Sequence, residues 1–205
     1  MILPIVVYGD PVLRQRAAPL SPDHPGLAEL IANMWDTMYG AEGVGLAAPQ
    51  VGHSVRLFVV DASPMSVNGS KGPDGEPLSD ADAAQLKTFK HVFINPEIYD
   101  EDGAEWAFEE GCLSIPGIRE LVSRKPSLRL RYVDEQFQPH ELALSGLAAR
   151  VVQHEYDHIE GKLFIDYASP LKRQLLKPKL ERLSRGQSDA EYPVKFYRRK
   201  QTVSR

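Results

Sequence analysis

Residues 153–158 read QHEYDH. On a helix, His154 and His158 lie one turn apart on one face, so both imidazoles can be directed at a single cation with no loop to hold them. Glu155 follows the first histidine and can take a proton from a water on that cation. The face can be checked along the chain. Leu147, Val151, His154 and His158 fall at i, i+4, i+7 and i+11, apolar up to the histidines, so the pair points inward. Two histidines hydrogen-bonded in a core are the alternative, made less comfortable by the acid beside them.

A catalytic cation needs a third protein ligand and an open position. His24, His53, His91 and His140 fall in predicted loops or strand ends. Cys112, in EEGCLSIPG, is the better donor, because a thiolate binds divalent transition metals strongly and loses its proton on binding. It is the chain's one cysteine, so an internal disulfide is excluded, a reducing cytoplasm fits, and a closed four-ligand site lacks an evident fourth donor. The alternative for Cys112 is a small buried core side chain. A third stretch, GVGLAAPQ at 43–50, offers close backbone approach at Gly43 and Gly45 and an amide donor at Gln50. It does not follow a strand in a nucleotide-binding pattern, so a phosphate loop is rejected. A tight helix-to-strand turn is the plain reading.

Taken in order, GVGLAAPQ, EGCLS and QHEYDH resemble the three signature motifs of the peptide deformylases, and the resemblance runs over roughly residues 1–172. It implies an α+β fold, with small antiparallel sheets packed around a central metal-binding helix and a C-terminal helix. It implies removal of the N-formyl group from the initiator methionine of nascent polypeptides, releasing formate. Cys112, His154 and His158 would hold one divalent metal, ferrous iron in many members, with zinc, nickel or cobalt able to take the place. Glu155 would shuttle the proton, and Gln50 with the backbone N–H of Leu113 would stabilise the oxyanion.

A methionine side chain needs an apolar slot. Val151 and Leu147, one and two turns before His154, are candidates for its lining, with Val44. Gly45 and Gly111 can offer backbone hydrogen bonds to an extended peptide. Arg119 meets that peptide further out, or is a solvated surface arginine. The chain departs from the family pattern in a long stretch at 63–89 and in Pro178, inside the C-terminal helix.

The elements that must position these residues are legible in outline. Residues 21–43 predict a helix, capped by Ser21 or Asp23, with Leu27, Leu30, Ile31, Met34 and Met38 as its apolar stripe and Gly40 as its stop. Strands are expected at 55–62 and 91–100, and a hairpin about DEQ at 134–136. The Gly-, Pro- and Ser-rich stretch 63–89 reads as a surface excursion. The motif helix runs from about Leu147 to about Glu160, ended by Gly161. Ser169 and Pro170 cap a last helix, with Leu171, Leu175, Leu176, Leu180 and Leu183 at helical spacing and Pro178 expected to kink or split it.

At 42% hydrophobic and 25% charged, and with no apolar run near ~18 residues, the chain reads as a globular domain and not as a membrane span. Charge divides it in two. Residues 1–170, the expected catalytic domain, carry 13 basic against 25 acidic residues; residues 171–205, the expected basic helix and tail, carry 11 against 3. Such a tail suits an anionic partner, here docking at the ribosome, or is a solvated, partly disordered segment. Two rival functions share these features. One is a zinc endopeptidase with an HExxH helix, which usually takes its third ligand downstream of that helix. The other is a non-catalytic metal-binding or RNA-associated module.

Overall fold

A computed structural model describes residues 1–66, 70–73 and 75–197. A short strand β1 (Ile5–Val6) precedes helix α1 (Leu27–Gly40). Strands β2 (Gly45–Ala47) and β3 (Leu57–Asp61) follow, then helix α2 (Asp80–Thr88) and the long strand β4 (Lys90–Asp102). Two hairpins come next, β5 (Trp106–Cys112) with β6 (Ile115–Arg124), and β7 (Ser127–Val133) with β8 (Pro139–Ser145). Helix α3 (Gly146–Ile159), helix α4 (Pro170–Ser184) and strand β9 (Val194–Lys195) complete the chain. The expected α+β fold is the one observed. An antiparallel five-stranded sheet has the order β2-β3-β4-β7-β8, β5 and β6 form a separate ribbon, and β1 pairs with β9 in parallel.

The five-stranded sheet is covered on both faces, and period-two alternation divides its side chains. Leu57 and Val59 of β3 and Leu46 of β2 pack with Leu30, Ile31, Met34 and Met38 of α1. Phe58, Val60 and Ala47 face the other way, against Ala148, Ala149, Val151 and Val152 of α3. Every residue of β3 is therefore buried. Helix α3, carrying the two histidines, is pressed between this sheet and the β5–β6 ribbon. Its end is set by Gly161 at φ +74°, where a Cβ would lie 2.8 Å from the Arg14 backbone.

Several local expectations need correction. α1 starts at Leu27 with Gly26 as its cap in the left-handed region and no side-chain cap bond. Ser21 instead closes a tight turn, accepting from the Asp23 N–H through its hydroxyl. The excursion at 63–89 contains α2, capped by Ser79, whose Oγ accepts from the Asp82 N–H at 3.1 Å. Only Leu86 of α2 is buried, so the helix shows no apolar stripe; its cap, its early acids and Lys87 near its end define it. Residues 67–69 and 74 of the excursion lie outside the described residues.

α4 begins as expected, with Ser169 Oγ accepting from the Lys172 N–H. It runs unbroken through Pro178, whose ring is on the exposed side. The buried stripe is Leu176, Leu180 and Leu183, while Leu171 and Leu175 are each 68% exposed. Leu175 sits ~100° round the helix from Leu176, and the body covers only the second of these positions. Beyond Gly186 the chain turns back and pairs Val194 and Lys195 with Ile5 and Val6, so the tail is packed on the body as far as this pairing. Residues 198–205, the last of the basic tail, lie outside the described residues. No helix among the described residues is long and apolar enough to cross a membrane.

The rotation of α4 separates two neighbouring leucines. Leu176→Ala should destabilise the protein by about 2–3 kcal/mol, and Leu175→Ala should stay within about 0.5 kcal/mol of the parent. Urea midpoints at constant m-value measure both.

Candidate metal centre

β5 brings Cys112 to the last two turns of α3. One donor atom each from Cys112, His154 and His158 lies within 4.8 Å of the others. Cys112 Sγ is 3.2 Å from His158 Nε2. Bonds of ~2.3 Å to sulfur and ~2.0–2.1 Å to nitrogen in a tetrahedral site put such donors roughly 3.5 Å apart. The spacing and the thiol–imidazole donor set therefore fit a single divalent transition metal.

His154 is oriented from behind, whereas His158 Nδ1 has no partner among the described residues. His154 Nδ1 lies 2.9 Å from Glu110 Oε2, which leaves Nε2 for the cluster. Glu110 is buried and is also held by Arg124, through Nε to Oε1 at 2.7 Å and Nη2 to Oε2 at 3.0 Å. Arg150 Nη1 donates to the same Oε1 at 3.0 Å. Arg124 reaches Asp157 as well, at 2.7 Å, and Tyr167 OH donates to the other oxygen of Asp157 at 3.0 Å. Two carboxylates and two guanidiniums thus make a neutral buried set, the arrangement in which burial of ions is tolerable. Burial works against the Glu110 charge, but hydrogen bonds from His154 and Arg124 hold its carboxyl well below the usual range. Burial lowers the His158 pKa, and the charge at His154 lowers it further, so His158 is the neutral, ligating form.

Glu155 is buried, and burial lifts its carboxyl to about 7. Its Oε2 has no hydrogen-bond partner among the described residues. The Gly45 backbone lies flush against it: a Cβ there would overlap Oε1 and come within 2.7 Å of Cδ. A side chain at Gly45 would thus displace the acid. Gln50, in the short 3-10 turn after β2, is fixed by the end of that strand, since its Oε1 accepts from the Ala47 N–H at 2.8 Å. That bond turns its Nε2 toward Cys112 Sγ, at 3.5 Å, and Ser114 Oγ, at 3.3 Å. Leu113 and Ser114 form the tight turn between β5 and β6.

These groups open onto a cleft of about 920 Å³. Val44, Gly45, Gly111, Leu113, Arg119 and Val151 line it, with Gln50 and Glu155. Leu147 does not. It is packed against the sheet and borders a separate small cavity with Leu78, Leu86 and Pro126. Seven residues along a helix is ~10 Å, and α3 reaches the cleft only with its later turns. Beside Val44 and Val151, the apolar wall is completed by Phe108, Ile115 and Met65, which sequence reasoning missed. It also missed the Glu110 set, although Glu110 and Asp157 lie within the EGCLS and QHEYDH motifs, and charged Arg150 on the buried helix was a visible signal. The Arg119 side chain is 70% exposed and pairs loosely with Glu109 at 3.9 Å.

The sequence model of the polypeptide deformylase family matches residues 2–174. The peptide deformylase of Christiangramia forsetii is 54% identical over 196 residues, covering 96% of each chain. That of Flavobacterium johnsoniae is 52% identical, again over 96% of each. Among solved structures, a peptide deformylase from Legionella pneumophila superposes with a TM-score of 0.73 at 40% identity, over 90% of this chain and 96% of that one. A Plasmodium falciparum peptide deformylase in complex with an inhibitor gives 0.71 at 32%, over 88% and 99%.

The buried ion set yields a stability prediction. Arg124→Met leaves Glu110 and Asp157 without their shared cation and should destabilise the fold by about 3–5 kcal/mol, read as a fall in the urea midpoint.

Proposed function

The chain belongs to the polypeptide deformylase family, a family of hydrolases, and from that premise we propose that it removes the N-formyl group from the initiator methionine of nascent polypeptides in a metal-dependent reaction. The observation that carries the reading is the meeting of Cys112, His154 and His158, with Cys112, His154 and Glu155 lining one cleft and Glu155 Oε2 without a hydrogen-bond partner among the described residues. Those three side chains would hold one divalent metal. Ferrous iron is our assignment in the cell, with zinc, nickel or cobalt able to substitute. Such a metal supplies Lewis acidity, which makes water acidic enough to act as a nucleophile near neutral pH.

The other groups follow from their positions. Glu155, held near pH 7 by burial, takes a proton from the attacking water and returns it to the leaving amine, so that formamide and water give formate and a free amino terminus. Gln50 Nε2 and the Leu113 N–H donate to the formyl oxygen as charge develops on it. Their directions are set beforehand, so little reorganisation accompanies the step. The methionine side chain enters between Val44, Val151 and Ile115. Gly45 is on the outer strand of the five-stranded sheet and Gly111 on the β5 ribbon, so an extended peptide can lie along both backbones, with Arg119 beyond. The cytoplasm, where nascent chains are made, is the compartment this reading requires.

A docking role for α4 rests on its outward charges. Arg173, Lys179 and Arg182 are exposed, although Lys172 is tied to Glu120 at 2.6 Å. Contact with the ribosome through this face would weaken steeply with salt, as phosphate contacts do.

Three measurements test the chemistry. The protein should release formate and free amine in equal amounts from a formyl-Met peptide and leave internal peptide bonds intact; internal cleavage instead would identify an endopeptidase. Glu155→Gln should keep its metal while turnover falls by about two orders of magnitude or more. Cys112→Ser should lower the metal content per chain, and equal metal retention would reduce Cys112 to packing.

A further inference from the structure

The turn that displays Leu113 is held by its carbonyls, and one holder comes from the far end of the chain. Tyr192 OH donates to the Leu113 carbonyl at 2.8 Å. The Tyr8 N–H donates to the Ser114 carbonyl at 2.8 Å. No protein acceptor meets the Leu113 N–H among the described residues. Tyr192 is itself placed by main chain: the Ile5 N–H donates to the Pro193 carbonyl at 2.8 Å, and the Val7 N–H to the Lys195 carbonyl at 3.1 Å. Its ring packs, half-buried, on the same core cluster as the Leu113 side chain. Residues 189–192 form part of the cleft wall. Tyr192 and the 189–195 stretch lie past residue 174, where the family match ends.

We propose that Tyr192 is a positioning residue for the hydrolysis, acting on the oxyanion donor. A peptide unit is planar, so pinning the Leu113 oxygen limits rotation of the Leu113–Ser114 unit. The Cys112–Ile115 pairing fixes the other side of the turn. Between these two restraints the Leu113 N–H keeps one direction, and a donor is useful to a developing oxyanion only when aimed before the charge appears. The inference rests on the reading of Leu113 as that donor. Tyr192 need not touch the substrate.

The test is Tyr192→Phe in the full-length, zinc-loaded protein, which keeps the ring and removes the hydroxyl. Losing a whole oxyanion donor costs about 10²–10³ in kcat, so a donor left in place but loosened should cost roughly tenfold. We expect kcat to fall about tenfold, with KM within about twofold and metal content unchanged, because the lost restraint acts on the transition state. The backbone ¹⁵N order parameters of Leu113 and Ser114 should drop from a rigid value of about 0.85. Turnover within about twofold of the parent would overturn the proposal. So would unchanged order parameters, or parallel changes in kcat and KM with a lowered melting temperature. Should the parent fail to deformylate the peptide, the functional reading falls, and the order parameters still decide whether Tyr192 aims the turn.

Discussion

One carboxylate, that of Glu110, accepts from Arg124, Arg150 and His154 at once. These residues belong to three different backbone segments: Glu110 to β5, Arg124 to β6, and Arg150 and His154 to α3. The ribbon supplies the sulfur of the candidate centre and the helix supplies its nitrogens, so the ligand set exists only while ribbon and helix stay in register. An apolar contact could bring the two together but would permit sliding. Directed bonds from buried guanidiniums to one carboxylate leave little such freedom, because any slip leaves a charge without a partner in a low-dielectric interior. The same bond that fixes the register also chooses which nitrogen of His154 faces the centre.

The sheet plays a complementary part. Covered by α1 on one face and α3 on the other, it gives the histidine helix a rigid floor. β2, on its edge, presents Gly45 against Glu155. The acid is therefore confined by packing while His154 is confined by charge. Burial without a partner raises the affinity of Glu155 for a proton, and charge-paired burial does the reverse at Glu110. Two carboxylates close in sequence to the ligands are set to opposite protonation tendencies by their surroundings.

Much of this was readable from the residues. The i, i+4 histidines, the inward face of α3 and the Ser169 cap follow from local periodicity, and the β7–β8 hairpin from alternation. What escaped was non-local or lacked a stripe. α2 buries a single leucine, so no period marks it. Leu147 and Leu171 have the right spacing, but which positions a neighbour covers depends on the docking angle of the helix and not on its sequence. Arg124 reads as an ordinary charged residue near a strand end until the fold places it between Glu110 and Asp157. Tyr192 sits in a polar stretch whose return to β1 rests mainly on backbone hydrogen bonds, which leave little trace in side-chain pattern.

The pairing of Ile5 with Val194 spans almost the entire chain. Closing a loop of that length carries about 2–3 kcal/mol more entropy loss than closing a ten-residue hairpin. During synthesis the first strand leaves the exit tunnel long before its partner exists, so β1 waits with one edge unpaired until the final segment emerges. The Leu113–Ser114 turn beside it thus gains its last hydrogen bond, from Tyr192, only then. A chain whose helix α3 has already been made therefore still lacks β9 and the stretch 189–192 that forms part of the cleft wall.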